Sequence, residues 1–248
     1  MDLLLILIFA LIGMFTGFVS GIFGIGGGSV RIPLLAIAGM PLLNAFATNM
    51  FVIPFSSSVG AYIQRKNITW GVTRPFVSGA LIGIIIATFL VGVLSNQFLA
   101  AVFFFAALLT IVGLYLNKIS PKIYDKLRPT GFNLFFGALI ANFIIGLRGG
   151  SGGTAFPPLL RAMHIKMHNA IATSLFTSAL TSLAALIIYF FREDIFLVPA
   201  LIVTATSVIG SYFGSKLSMK TESKWLKAGL AVIVFLLACT VVYKEFFY

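Results

Sequence analysis

The chain has 248 residues, 60% hydrophobic and 9% charged, with a mean hydropathy of +1.09, which leaves too little polar surface to coat a soluble globule. It reads as a membrane protein, and a net charge of +11 then suits the positive-inside bias of a multispanning chain rather than nucleic-acid binding. Cys239 is the single cysteine, so neither a disulfide framework nor a cysteine metal cluster is expected.

The first apolar run predicts a helix over residues 3–20. It reads as a span and not as a signal peptide, because Met1-Asp2 supplies no basic n-region. A glycine-rich stretch follows, then an apolar piece over 30–39, which at a 1.5 Å rise per residue covers only about 15 Å, half the hydrocarbon thickness. Met40-Pro41 turns into a long helix over 42–64, with Pro54 as a kink point. Further helices are expected over 72–94 and from 98 to about 116, and residues 118–129 join the halves. The second half repeats this order: a helix over 132–147, a glycine stretch, a half-helix over 155–163, and long helices over 168–191, 195–214 and 225–243.

This repetition is a duplication. Gly21 aligns with Gly146 and Phe51 with Phe176 without a gap, an offset of 125, and 12 of the 31 pairs are identical. Beyond that window the offset becomes 127, pairing Tyr62 with Tyr189, Arg65 with Arg192 and Gly83 with Gly210. Repeats are the first signal to seek in any chain.

Equivalent loops carry opposite charge patterns. Gly39-Met40-Pro41 is neutral where the second copy has Arg161, His164 and Lys166, and Arg65-Lys66 stands where the second copy has Arg192-Glu193-Asp194. Ser95-Asn96-Gln97 is neutral where the second copy has Lys216, Lys220, Lys224 and Lys227. With basic loops on the cytoplasmic side, the halves are inverted and both termini lie outside. The expected fold is an all-α polytopic membrane protein of two inverted repeats, 1–117 and 131–248, joined by a cytoplasmic linker, 118–130. Each repeat has four long transmembrane helices plus a glycine-rich broken half-helix. Parallel repeats, with the glycine segments dipping in and returning, are the alternative that the charge pattern disfavours.

Unpaired backbone at membrane depth is tolerated only where protein or a water-filled cavity covers it. Glycine lets such backbone turn and lets its N–H groups approach a ligand. Ser29 and Thr154 are expected as N-caps of the half-helices, with Pro33 and Pro157 in their first turns. Two half-helix N-termini converging at the midplane describe an anion site.

Arg31 follows the first glycine stretch and Arg148 precedes the second, while all six acidic residues fall in loops or termini. A midplane arginine costs about 2.5–3.5 kcal/mol on insertion scales, so two of them favour an anionic ligand. The candidate substrate-binding residues are Gly26, Gly27, Gly28, Ser29, Arg31, Thr48, Asn49, Asn142, Arg148, Ser151, Gly152, Gly153, Thr154, Thr173 and Ser174. Glycines as helix packing and arginines snorkelling to an interface form the competing reading. Arg31 and Arg148 are not repeat equivalents, so the duplication does not vouch for both.

His164 and His168 share a helical face without an acidic or cysteine companion, so they read as interface residues and not as a metal site. No catalytic constellation and no cofactor motif is found, so no enzyme and no cofactor is expected.

The segments Gly24-Ile25-Gly26-Gly27-Gly28 and Gly149-Gly150-Ser151-Gly152-Gly153 make the chain resemble the sulfite exporter TauE/SafE family, whose hallmark is a duplicated Gly-x-Gly-Gly-Gly segment followed by proline and leucines. Ser151 and Arg148 depart from its most regular form. The resemblance implies an inner-membrane transporter exporting sulfite or an organosulfonate, with the lipid bilayer and a small anion as partners, no nucleic acid, and a homodimer left open. Uniport aided by the membrane potential suits a chain without an intramembrane carboxylate. An anion channel would use the same charges, and a non-transporting scaffold would leave the glycines as packing.

Overall fold

The computed structural model describes residues 2–92, 104–105, 108 and 111–247, and among these it contains helices and no strand. In the first half, α1 (Leu3–Phe23) leads through residues 24–27 into the short α2 (Gly28–Ile37), then α3 (Leu42–Ile63), a 3-10 turn (Arg65–Asn67) and α4 (Trp70–Leu90). The two small helices α5 (Leu116–Ile119) and α6 (Pro121–Lys126) occupy the linker. The second half holds α7 (Gly131–Gly146), a 3-10 turn (Gly152–Thr154), the short α8 (Phe156–Ala162), α9 (Met167–Phe191), α10 (Leu197–Lys220) and α11 (Ser223–Phe247). The expected helix from 98 to 116 falls largely outside the described residues.

Among the described residues five helices, α1, α3, α4, α9 and α10, are long and apolar enough to cross a membrane. α7 has the 16 residues expected over 132–147, fewer than the roughly 20 that a straight span needs, so it falls short of the four long helices expected in that repeat. Glycines set the tightest helix pairs. Gly13, Gly17 and Gly21 of α1 face Val203, Ser207 and Ser211 of α10, and Gly210 and Gly214 of α10 face Met14 and Phe18 in return. Gly79 and Gly83 of α4 face Phe135 and Leu139 of α7. Small residues at i and i+4 allow such backbone approach where lipid supplies no hydrophobic drive for helix association. Accordingly α1 packs against α10 and α7 against α4.

The short helices start differently from expectation. Gly27, at φ +80° in the left-handed region, is the N-cap of α2, so Ser29 is the second helical residue and Pro33 lies in the second turn. Glycine adopts that conformation without the Cβ clash any other residue would carry, and this moves the helix start two residues earlier. In the second copy Gly152–Thr154 coils into a 3-10 turn and Ala155 is the N-cap, so Thr154 lies upstream of α8. Pro157 does sit in the first turn of α8.

Contacts order the loops into two ends. At one end His164 Nε2 lies 2.8 Å from the Tyr124 carbonyl of the linker, His168 Nε2 lies 3.0 Å from the Thr221 carbonyl, and Asn169 donates to Thr69 at 3.2 Å. At the other end Asn44 donates to the Asp194 carbonyl at 2.8 Å. The C-terminal part of α2 packs with the far end of α9, Leu35 and Met40 sharing a core with Tyr189. The C-terminal part of α8 packs with the near end of α9, Leu160 and Met163 sharing a core with Ala170.

Candidate functional site: the crossing of two glycine stretches

The two glycine stretches, far apart in sequence, touch. A Cβ on Gly153 would overlap the Ile25 carbonyl and lie 2.8 Å from the Gly26 amide nitrogen, and one on Gly26 would lie 2.9 Å from Ser151 Oγ. Ser29 Oγ lies 3.4 Å from Thr154 Oγ1. Gly26 with Ser151 and Ser29 with Thr154 are both repeat-equivalent pairs at the 125 offset.

The supports around the crossing are reciprocal as well. Asn49 of α3 donates to the Gly149 carbonyl at 2.8 Å, and its equivalent on α9, Ser174, donates to the Gly24 carbonyl at 2.6 Å. Gly149 lies on Phe46, and its equivalent Gly24 lies on Ile171, the equivalent of Phe46. Asn142 of α7 is wholly buried; it donates to the Ala80 carbonyl of α4 at 2.8 Å and accepts from the Gly152 amide. These bonds hold irregular backbone in the protein interior, where an unpaired group would cost several kcal/mol.

Arg31 has no exposed surface. Its Nε donates to Thr16 at 3.2 Å, Nη1 to Asn49 Oδ1 at 2.7 Å and Nη2 to Ser207 at 3.3 Å. These partners stand on α1, α3 and α10 and are all neutral, so among the described residues no carboxylate hydrogen-bonds to this guanidinium. Asn49 links it directly to the second glycine stretch. Ser207 is the eleventh of the 24 residues of α10, which puts the charge near the middle of that helix.

Two hydroxyls at the crossing lack a hydrogen-bond partner among the described residues. Ser151 is 3% exposed and Ser178, midway along α9, is 0% exposed, and neither Oγ has a partner. A Cβ on Gly26 would lie 2.9 Å from the first and 3.7 Å from the second. An unmet buried hydroxyl costs about 1–3 kcal/mol, a cost relieved by an acceptor placed between them. Glycine is needed at Gly26 for both its φ of +68° and this absence of a side chain.

Of the sequence-derived candidates, Gly26, Gly27, Gly28, Ser29, Arg31, Asn49, Asn142, Ser151, Gly152, Gly153, Thr154 and Ser174 gather at the crossing or its immediate supports. Thr48 and Thr173 do not point there. Thr48 lies 3.5 Å from Met40 Sδ, and Thr173 accepts from the Thr69 amide at 3.1 Å. Arg148 is partly buried in the turn that follows α7, two residues beyond its end. Sequence reading missed Thr16, Ser178 and Ser207. For Ser178 a signal existed: 173/177/181 and 174/178/182 are all Ser or Thr, a four-residue spacing that places both series along one side of a helix.

An all-helical chain with five candidate spans around a buried polar crossing is a polytopic membrane protein. It belongs to the sulfite exporter TauE/SafE family, which matches residues 9–241. It is 25% identical to a probable membrane transporter protein of Haemophilus influenzae, over 96% of this chain and 98% of that one. It is 22% identical to the probable membrane transporter protein YunE of Bacillus subtilis, over 97% and 98%. A shorter stretch of 52 residues, 21% of this chain and 20% of the other, is 54% identical to a probable membrane transporter protein of Methanocaldococcus jannaschii. No solved structure matches.

Proposed function

We propose that the protein exports a small sulfur oxyanion or organosulfonate across the cytoplasmic membrane, binding it where the two glycine stretches cross. One observation carries this reading: among the described residues two buried unpartnered hydroxyls, Ser151 and Ser178, face one glycine position beside a buried arginine hydrogen-bonded to neutral groups. Sulfonate and sulfite oxygens accept hydrogen bonds and carry the charge that Arg31 complements. Chemistry on a bound substrate has no candidate residues in this proposal; the family and its relatives point to transport.

The two halves, 1–117 and 131–248, are inverted repeats in this reading, with the 118–130 linker in the cytoplasm and both termini outside. Support comes from α2 and α8, which leave the crossing toward opposite ends of α9, and from the reciprocal contacts between repeat-equivalent residues. The loops carrying Arg161, Lys166 and the linker lysines gather at one end, as positive-inside bias requires. The crossing is closed toward both ends, with Arg31 and Ser178 at 0% exposure and Ser151 at 3%. That favours a carrier that rocks its halves over a standing channel. A negative-inside potential then drives each anionic charge outward by about 2.3 kcal/mol per 100 mV.

The test is the melting temperature of the purified protein across sulfite, sulfate, thiosulfate, taurine, isethionate, sulfoacetate and chloride. A ligand bound only by the folded state at 100 times its Kd stabilises by about 2.7 kcal/mol. At least one sulfur anion is expected to raise the melting temperature above the chloride value. Identical melting in all of them contradicts the proposed site.

A further inference from the structure

A second place in the molecule has the chemistry of an anion site. At the end that gathers the basic loops, a pocket of about 470 Å³ is lined by Arg161, Lys166, His168, Asn169, Lys227 and Asn67, among others, and among the described residues no acidic side chain lines it. Lys227 stands in the repulsive fields of Arg161 and Lys118. The nearby Glu222 is engaged elsewhere, 2.7 Å from Lys224.

The start of α9 opens into the same pocket. Its first backbone bond is Ala170 N–H to the Lys166 carbonyl, so the amides of Met167, His168 and Asn169 have no acceptor within the helix. No side chain caps them, and the N-cap position is held by Lys166. A cation at a helix N-terminus opposes the helix dipole, and here Lys166, Arg161 and Lys227 do so together. Open amides, convergent cations and space for a ligand in one place are what an oxyanion requires.

The pocket also lies on the way to the crossing. Ser178 is eleven residues beyond Met167 on α9, about 16 Å at the helical rise, or half the hydrocarbon core. Between them Asn169 donates to Thr69, and the Thr69 amide donates to Thr173. Asn67 brings the first half to the pocket wall, so both halves form it.

We infer that this pocket is a loading site, where the cytoplasmic anion is captured by Arg161, Lys166, Lys227 and the α9 N-terminus before it moves to the crossing. The identity of the ligand as the transported anion rests on the carrier reading above; its character as a tetrahedral oxyanion rests on the pocket alone. Capture by the exposed Lys166 and the half-buried Arg161 and Lys227 concentrates substrate at the mouth and is weakened by salt.

The chain contains two tryptophans: Trp225 lies on α11 between the pocket-lining Ser223 and Lys227 and serves as the probe, whereas Trp70 packs on Phe176 away from the pocket. The experiment titrates sulfate and inorganic phosphate, against chloride at constant ionic strength, into the purified full chain in neutral detergent and reads tryptophan fluorescence. The wild type is expected to give a saturable change. Arg161→Gln with Lys227→Gln should raise its midpoint about tenfold, as loss of two charge-assisted contacts implies, and Arg161→Lys with Lys227→Arg should restore it. Gly26→Ala, which fills the crossing, should leave it unchanged. In proteoliposomes the Gln pair should raise KM about tenfold, keep the maximal rate, and lose the salt dependence of KM.

A titration that the Gln pair does not alter, in protein that carries the anion, overturns the loading site alone. A titration that depends on the pair, in protein that carries no anion, leaves the pocket as an oxyanion site and overturns transport as its purpose. A change produced by phosphatidylglycerol nanodiscs and not by phosphatidylcholine ones, and not competed by sulfate, makes it a lipid headgroup site and overturns the proposal.

Discussion

Replacing Arg31 with methionine is expected to abolish anion binding and flux while leaving a protein that inserts and folds. The side chain is wholly buried and donates to Thr16, Asn49 and Ser207, so methionine fills similar space and removes a charge that is expensive at membrane depth. Folding loses three bonds but gains relief from desolvation, and polar contacts within membrane proteins average only about 0.6 kcal/mol. A bound anion has no such relief. Loss of a hydrogen-bonded charged partner is worth about 1.5–3 kcal/mol, roughly ten- to a hundredfold in affinity. Arg31→Lys separates the two roles. It keeps the charge but cannot span three partners with a planar fork, so it should bind within about tenfold of wild type and melt lower. If Arg31→Met carries the anion at the wild-type rate, Arg31 is a structural pin and the electrostatic half of the site assignment is wrong.

The second large effect sets two alanines against each other. Gly26→Ala places its Cβ between the two unpartnered hydroxyls, 2.9 Å from Ser151 Oγ, a side-chain atom that can rotate away. The left-handed backbone adds about 1–2 kcal/mol of strain, so the protein should fold with a modestly lower melting temperature and lose flux. Gly153→Ala drives the same methyl into the Ile25 carbonyl, which is backbone and cannot yield without parting the two stretches. That variant should fail to give monodisperse protein on size-exclusion chromatography. Equal flux in Gly26→Ala and wild type would move the anion route away from the crossing.

Most of the element order was legible in the sequence, because membrane spans announce themselves by length and the glycine stretches by composition. The half-helices were expected at 30–39 and 155–163, and the structure places them at Gly28–Ile37 and Phe156–Ala162. The exact starts were not legible. Ser29 and Thr154 are good capping residues by type, but the left-handed φ of Gly27 and the 3-10 turn at Gly152–Thr154 decide where helix begins, and backbone angles of glycines leave no trace in sequence. Arg31 was legible as a lone charge in an apolar setting. Its partners Thr16 and Ser207 were not, since each is one small polar residue in a long helix, and only the α1–α10 packing brings them together. The reach of Asn49 and Ser174 across to the opposite glycine stretch needed the tertiary structure, although the repeat had already paired the two residues.

Counterflow tests the central claim most directly. Proteoliposomes loaded with unlabelled sulfur anion are diluted into a trace of the same anion labelled with sulfur-35, using the compound that most raises the melting temperature. A carrier with one site at the crossing predicts transient accumulation of label above equilibrium in wild type, and no uptake beyond empty liposomes in Gly26→Ala and Arg31→Met. Label that enters wild-type vesicles no faster than empty ones, or that enters both variants as fast as wild type, would contradict the account.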